Sequence, residues 1–173
     1  MGDVYFRYIL KKNRPSIGIL NIGEEETKGT DYIKEAHQLL NKSQLHFIGN
    51  VEGRDIFNGS VDIVVCDGFV GNVVLKVSES IADVIGKMLK QELKRNPMTR
   101  LGAFLAKPAF DALKKEIDYS EYGGAPLLGV AGNCIISHGS SNARAIKNAI
   151  RVAGEFVKYE INQHIIEAIR NSN

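Results

Sequence analysis

Short β-branched runs that stop at glycine alternate with longer stretches whose apolar residues recur at helical steps, and this alternation constrains the fold more than any other feature. Ile17-Gly18-Ile19-Leu20-Asn21-Ile22-Gly23 is mostly apolar and closes on glycine. Leu45-His46-Phe47-Ile48-Gly49 has the same form, and Val61-Asp62-Ile63-Val64-Val65-Cys66 is almost purely β-branched before Asp67-Gly68. Runs of this kind suit strands covered on both faces, as in a parallel sheet whose crossovers are helices. The expected class is α/β, with helices layered on a mostly parallel sheet.

Helices can be placed between and after these runs. Val4, Tyr5, Tyr8 and Ile9 fall near helical spacing in an opening segment without a capping residue. Thr30 or Asp31 can cap a helix with Ile33, Ala36, Leu39 and Leu40 on one stripe, ending near Asn41-Lys42. From Asn72 to about Lys94, the set Val73, Val77, Ile81, Val84, Ile85 and Met88 defines the clearest helix. Asn96-Pro97 breaks it, and Leu101, Phe104, Leu105, Phe110, Leu113 and Ile117 mark a second amphipathic stretch interrupted at Pro108. After the loop Tyr122-Gly123-Gly124-Ala125-Pro126, Leu127 to Val130 and Asn133 to Ser137 read as strands about a tight turn at Ala131-Gly132. Ser140 or Ser141 then caps one long final helix with Ile146, Ile150, Ala153, Val157, Ile161 and Ile165 inside.

Composition excludes several classes. With 173 residues, 44% of them hydrophobic and 24% charged, the chain can bury one core without a disulfide or structural metal. Cys66 and Cys134 each sit in an apolar run with no second ligand at metal spacing, so both are expected to be reduced core residues. No metal and no cofactor is expected. No apolar stretch reaches the roughly 20 residues of a membrane-spanning helix, and the first residues do not form a signal peptide, so a cytoplasmic location is expected. A net charge of +2 is too small to argue for nucleic acid as a partner. The chain has no Gly-x-Ser-x-Gly elbow, complete dinucleotide fingerprint or Walker phosphate loop, which argues against a standard hydrolase, dehydrogenase or ATPase.

In parallel sheets, ligands bind beyond the carboxyl ends of the strands, where loops open into helix N-termini. Three loops qualify: Gly23 to Gly29, Asp67 to Asn72, and His138 to Asn142. Lys28, beside Gly29, either offers an ammonium to phosphate or is a solvated loop lysine. Its neighbours Glu24, Glu25 and Glu26 either orient it, bind a metal or form an exposed acidic turn, the last being the expected one. Gly68 and Gly71 let a ligand approach the backbone, and Asn72 stands where unpaired helix amides would face an anion. Alternatively the glycines serve a tight turn and Asn72 is a helix cap. Gly139, Ser140 and Ser141 pose the same choice between phosphate cradle and serine cap. His138 is either a displayed acid or base or a structural histidine, while His46 and His164 read as structural or surface-placed.

Charge is unevenly spread. Lys87 to Lys115 holds eight basic and two acidic residues, leaving that segment at +6 and the remainder at −4 of the total +2. Residues 88–117 read as a basic amphipathic helical excursion. Lys94, Arg95 and Arg100 beside Leu101, Phe104 and Leu105 suit docking on anionic lipid or an acidic partner protein, or else an interfacial hairpin packed in a dimer.

Five motifs in this order carry a resemblance. They are Leu20-Asn21-Ile22-Gly23-Glu24-Glu25 with Lys28-Gly29, the run Phe47 to Ile56, the run Val65 to Val73, the run Tyr122 to Gly129, and His138-Gly139-Ser140-Ser141-Asn142-Ala143. Together they resemble the bacterial phosphate acyltransferase of phospholipid synthesis nearly end to end, as the C-terminal part of that longer family. The resemblance implies a three-layer α/β/α sandwich related to phosphotransacetylases, with a protruding amphipathic hairpin. It implies transfer of a fatty acyl group from acyl carrier protein to inorganic phosphate, giving an acyl phosphate for a membrane glycerol-3-phosphate acyltransferase. A homodimer, peripherally associated with the membrane, is also implied. By matching motif positions, Lys28 would align phosphate and Asn72 would donate to the oxyanion. Amides of Gly71, Ser140 and Ser141 would assist, with Gly29, Gly68 and Gly139 lining the substrate, and His138 would be a polar contact or proton donor. Two other readings compete: a phosphotransacetylase-like enzyme using an acyl-coenzyme A, and a non-catalytic dimerisation or membrane-docking fragment.

Overall fold

The computed structural model describes residues 1–117 and 123–171, with side chains through Leu113 in the helix that ends at Ile117. Tyr122 of the Tyr122 to Gly129 motif, and the side chains of Lys114, Lys115 and Ile117, lie outside the described residues. In chain order the first elements are α1 (Gly2–Tyr8), β1 (Ile17–Leu20), α2 (Asp31–Lys42), β2 (Phe47–Val51), α3 (Asp55–Asn58) and β3 (Ile63–Val65). Three helices follow, α4 (Gly68–Leu93), α5 (Pro97–Leu105) and α6 (Lys107–Ile117). The chain then forms β4 (Ala125–Pro126), β5 (Ile135–Ile136), α7 (Ala143–Lys158) and α8 (Ile161–Arg170). The architecture is mixed α/β, a small parallel sheet among many helices, consistent with the α/β/α sandwich expected. The chain divides into two compact units, Met1–Cys66 with Tyr122–Asn173, and Asp67–Glu121.

In the first unit the sheet order is β2-β1-β3, and both pairings are parallel. β1 is central and the most buried, with Ile17 and Ile19 inside. Gly18 is required there: a Cβ would stand 2.4 Å from Val51 Cγ1, so the strands pack too closely for any side chain. The β1/β2 register slips between Ile17 and Gly18, which pair with Phe47 and Gly49 and leave Ile48 as an extra residue. Gly49 takes φ +97°, a conformation open to glycine at low cost. Beyond this bulge Asn50 and Val51 are both buried, so the strict alternation of a strand is broken.

The start of β3 is fastened to the segment before β1. Asp62 Oδ2 accepts from Ser16 N–H (2.7 Å) and Ser16 Oγ–H (2.8 Å), and Oδ1 accepts from the Lys12 ammonium (2.6 Å). These bonds hold the Asp62 carboxyl below the usual carboxylate range, the Lys12 bond being the largest cause.

The core of this unit is Val4, Val152, Phe156, Ile161 and Ile165, where α1 meets α7 and α8. Tyr5 packs on Phe156, and Tyr8 stacks on His164 with ring centres 3.9 Å apart, giving His164 its structural place. The final helix differs from expectation in two ways. It is two helices, separated at Glu160, whose φ of +49° stops α7 and re-aims the chain. Its buried stripe is Ala145, Ala149, Val152 and Phe156, while Ile146, Ile150 and Val157 are exposed. Small residues face inward because Gly123 lies against α7 so closely that a Cβ would be 2.4 Å from Ala149 N.

Other local readings also shift. β4 forms at Ala125–Pro126 instead of Leu127 to Val130, pairing antiparallel with β5, and Leu127 N–H still donates to Cys134 C=O at 2.8 Å. On α2, capped by Thr30 as expected, His37 is buried and Leu39 exposed. Cys66 and Cys134 are not core residues: neither is in a disulfide, and both are exposed because they lie at strand ends.

In the second unit, α4 ends before Asn96, which caps α5 in a reciprocal box with Thr99 and with Pro97 at the first helical position. The interruption expected at Pro108 is present: α5 ends at Leu105, Ala106 follows it as the cap, and Pro108 sits in the first turn of α6.

Candidate functional site

The loop after β1 is braced by two buried asparagines at the ends of adjacent strands. Asn21 Nδ2 donates to Lys28 C=O (3.0 Å) while its Oδ1 accepts from Ile22 N–H (2.8 Å). Asn50, at the end of β2, donates from Nδ2 to Glu25 C=O (2.7 Å). The same carbonyl accepts the Lys28 N–H (3.1 Å), so Lys28 is held through both of its own backbone groups. Gly29, at φ +85°, turns the chain out of the loop, and a Cβ there would meet Asn21 Oδ1 at 2.6 Å. Gly23 is buried under the loop, its missing side chain making room for the Glu25 carboxylate and the aliphatic stem of Lys28. Among the described residues no carboxylate pairs with the Lys28 ammonium.

The acidic neighbours do other work. Glu24 pairs with Arg54 (2.9 Å), which also reaches Glu52 (3.4 Å). Asp55 accepts from Glu52 N–H (2.8 Å) and Asn58 Nδ2, bonds that hold its carboxyl below the ordinary range. Two hollows of about 320 and 380 Å³ flank this region and share Glu26 and His37 in their walls. Lys28 lines neither. Glu24, Asn50 and Asp55 reach the larger hollow. Thus two of the sequence motifs, Leu20 to Gly29 and Phe47 to Ile56, are one constellation in space.

The third loop of the unit is closed by His138. Its Nδ1 receives the Ser140 N–H (3.2 Å) and lies 2.7 Å from Ser140 Oγ, and Ser141 N–H donates to His138 C=O (3.0 Å). Because an amide can only donate, Nδ1 is the acceptor and the ring proton is assigned to Nε2. The expected serine cap is corrected: Asn142 Oδ1 caps α7 by accepting from Ala145 N–H (2.9 Å). The expected amide cradle is corrected as well, since the Ser140 and Ser141 amides are both engaged by His138. Ser141 Oγ is buried without a hydrogen-bond partner among the described residues. Gly139 has open space about its Cα.

In the second unit the helix begins four residues before Asn72. Asp67 is the cap, its Oδ1 accepting from Phe69 N–H and Val70 N–H, both at 2.9 Å. A carboxylate therefore fills the anion position at this helix end. Gly71 N–H donates to Asp67 C=O (2.9 Å), so it is not an open amide, and Gly68 has open space about it. Asn72 is exposed in the second turn and can act only through its side-chain carboxamide. The signal that locates the true cap is Asp67 itself, an N-cap residue directly before Gly68. Farther on, Met98, Leu101, Phe104 and Leu105 are exposed along one stripe of α5, beside exposed Lys94, Arg95 and Arg100. Arg100 Nε donates to Lys94 C=O (3.2 Å), and Arg95 pairs with Glu92 (3.4 Å). No described helix is long and apolar enough to cross a membrane.

Fold and loops together define a class: an α/β protein whose parallel strands end in a braced, lysine-bearing loop. The profile of the family described as fatty acid synthesis protein matches residues 1–164, and the chain belongs to that family. It is 56% identical over its whole length to a phosphate acyltransferase of Syntrophotalea carbinolica, covering 50% of that protein. It is 54% identical to a phosphate acyltransferase of Geotalea uraniireducens, over 99% of this chain and 50% of the relative. A phosphate acyltransferase of Campylobacter lari is also 54% identical, over 99% of this chain and 52% of the relative. The chain spans about half the length of the curated relatives it matches, as their C-terminal part.

Proposed function

We propose that this chain serves transfer of a fatty acyl group from acyl carrier protein to inorganic phosphate, yielding an acyl phosphate for phospholipid synthesis. The observation that carries the reading is the Lys28 loop, braced at Asn21 and Asn50, in a chain that belongs to this family.

The chemistry asks little of an acid. A thiol pKa of about 8.5 makes the thiolate a good leaving group. A phosphate oxygen attacks the thioester carbonyl carbon, the carbonyl oxygen takes up the negative charge, and collapse expels the carrier's thiolate. What remains for the protein is to hold phosphate in line and stabilise that oxyanion. Lys28 supplies the counter-charge for phosphate. Asn72 supplies a side-chain N–H to the oxyanion, its backbone neighbours being already engaged. His138, with its proton on Nε2, acts as a polar contact or proton donor. The reading includes a homodimer, and the α5 stripe with Lys94, Arg95 and Arg100 as a docking surface for anionic membrane.

Acyl phosphate is measured from long-chain acyl carrier protein and phosphate, in this chain and in a full-length relative altered at the matching positions. Lys28→Ala is expected to raise the phosphate KM at least tenfold, and Asn72→Ala to lower kcat about a hundredfold, the usual loss for one oxyanion donor. Wild-type turnover in both would refute the roles. Preference for acetyl-coenzyme A as donor would replace the carrier protein by the phosphotransacetylase-like reading. Dimerisation of this chain without thioester cleavage would identify it as a docking fragment.

A further inference from the structure

Two asparagines that no motif argument marks as functional sit where they control Lys28. Asn21 and Asn50 are both more than nine-tenths buried, on adjacent parallel strands, and each gives a side-chain N–H to a carbonyl of the Glu24 to Gly29 loop. Asn50 is in this position because of the bulge at Ile48-Gly49. Without the extra residue it would face the opposite side of the sheet. Its Oδ1 is buried and has no hydrogen-bond partner among the described residues. A buried acceptor left unsatisfied weakens a fold, so an apolar residue of similar size would serve stability as well or better. The residue is explained by what its other end does: its Nδ2 fixes Glu25 C=O, the carbonyl that closes the turn onto Lys28 N–H.

We infer that Asn50, together with Asn21, is a positioning residue that holds the Lys28 backbone so that its ammonium is pre-organised for a phosphate-type anion. Lysine loses substantial rotamer freedom when its head is fixed on a ligand, and a loop that also moved would add to that loss. Bracing from two strand ends removes the second contribution. The inference rests on the reading of Lys28 as the phosphate-binding cation.

The test uses Asn50→Leu, with Asn50→Ser as a smaller change should leucine disturb the end of β2, folding being checked by circular dichroism. In this chain, trypsin cleavage after Lys28 is followed by mass spectrometry with and without inorganic phosphate. The folded variant is expected to be cut after Lys28 at least tenfold faster than wild type, and to need about tenfold more phosphate for protection. In acyl transfer by a full-length relative with the matching change, the phosphate KM is expected to rise about tenfold while kcat changes less than twofold. The same substitution made on top of Lys28→Ala is expected to add nothing to KM, because Asn50 acts only through Lys28. A folded variant with wild-type cleavage after Lys28 and wild-type phosphate KM would overturn the inference. So would a full additional KM effect in the Lys28→Ala background. If Lys28→Ala alone leaves phosphate KM unchanged, the phosphate assignment of Lys28 fails. The cleavage rates then still decide whether Asn50 braces the loop.

Discussion

Removing the Asp62 carboxylate should unfasten β3 from the segment before β1, and the size of the effect follows from its bonds. The side chain is only 17% exposed and accepts two hydrogen bonds from Ser16, both under 3 Å. Bonds to a charged acceptor contribute about 1.5 to 3 kcal/mol each, less when partly solvated, so about 3 kcal/mol is expected for the pair. Lys12 is 55% exposed and its ion pair is screened, adding at most about 0.5 kcal/mol. Asp62→Ala should therefore lower the melting temperature of the unit by about 6 to 12 °C, at about 2 to 4 °C per kcal/mol for a chain of this size. Asp62→Asn, which turns an amide donor toward either Ser16 N–H or Lys12, should lose a smaller part of it.

The pH dependence gives a second check. The folded carboxyl is held below its ordinary value of 3.8, chiefly by Lys12 and then by Ser16, so its contribution is complete above that value. It is lost as pH falls through the lower folded value. The gap between wild type and Asp62→Asn should be constant from about pH 7 to about pH 5 and close below about pH 4. Calorimetry or circular-dichroism melting measures both. No gap at neutral pH, or one that persists undiminished in acid, would refute the account.

Gly123→Ala should be severely destabilising, by about 3 kcal/mol or more, because its φ is +87° and the new Cβ would strike α7 backbone at 2.4 Å. Gly132→Ala, where a Cβ meets nothing within 4 Å, is the matched control and should be neutral or mildly stabilising in the same urea titration. Reversing charge at Arg95 and Arg100 should weaken binding to anionic liposomes at least tenfold at low salt, measured by co-sedimentation; unchanged binding would leave α5 as a packing surface only. Gly29→Ala should raise trypsin cleavage after Lys28 severalfold, since the Cβ at 2.6 Å displaces Asn21 from its hydrogen bond to Lys28.

The features set by near neighbours were legible along the chain. β-branched runs stopped by glycine became the parallel strands, Thr30 became a cap, and Asn96-Pro97 and Pro108 marked helix boundaries, because each depends on residues within a turn. Even so, local cues leave ties. The last helical stretch has two candidate stripes, and isoleucine outweighs alanine in any hydropathy reading. Tertiary packing against Gly123 chose the alanines. Asn72 reads as a cap from its neighbours, yet Asp67 holds that place, and the cysteines read as core because their runs are apolar up to the strand ends.

The bracing of Lys28 exists only in the folded molecule. Asn21 and Asn50 lie far apart in the chain, and no periodicity links them. They meet the same loop because β1 and β2 are adjacent and parallel and one extra residue at the bulge turns Asn50 toward it. Strand register is a property of two segments at once, and a hydrogen bond that depends on register cannot be written into either segment alone.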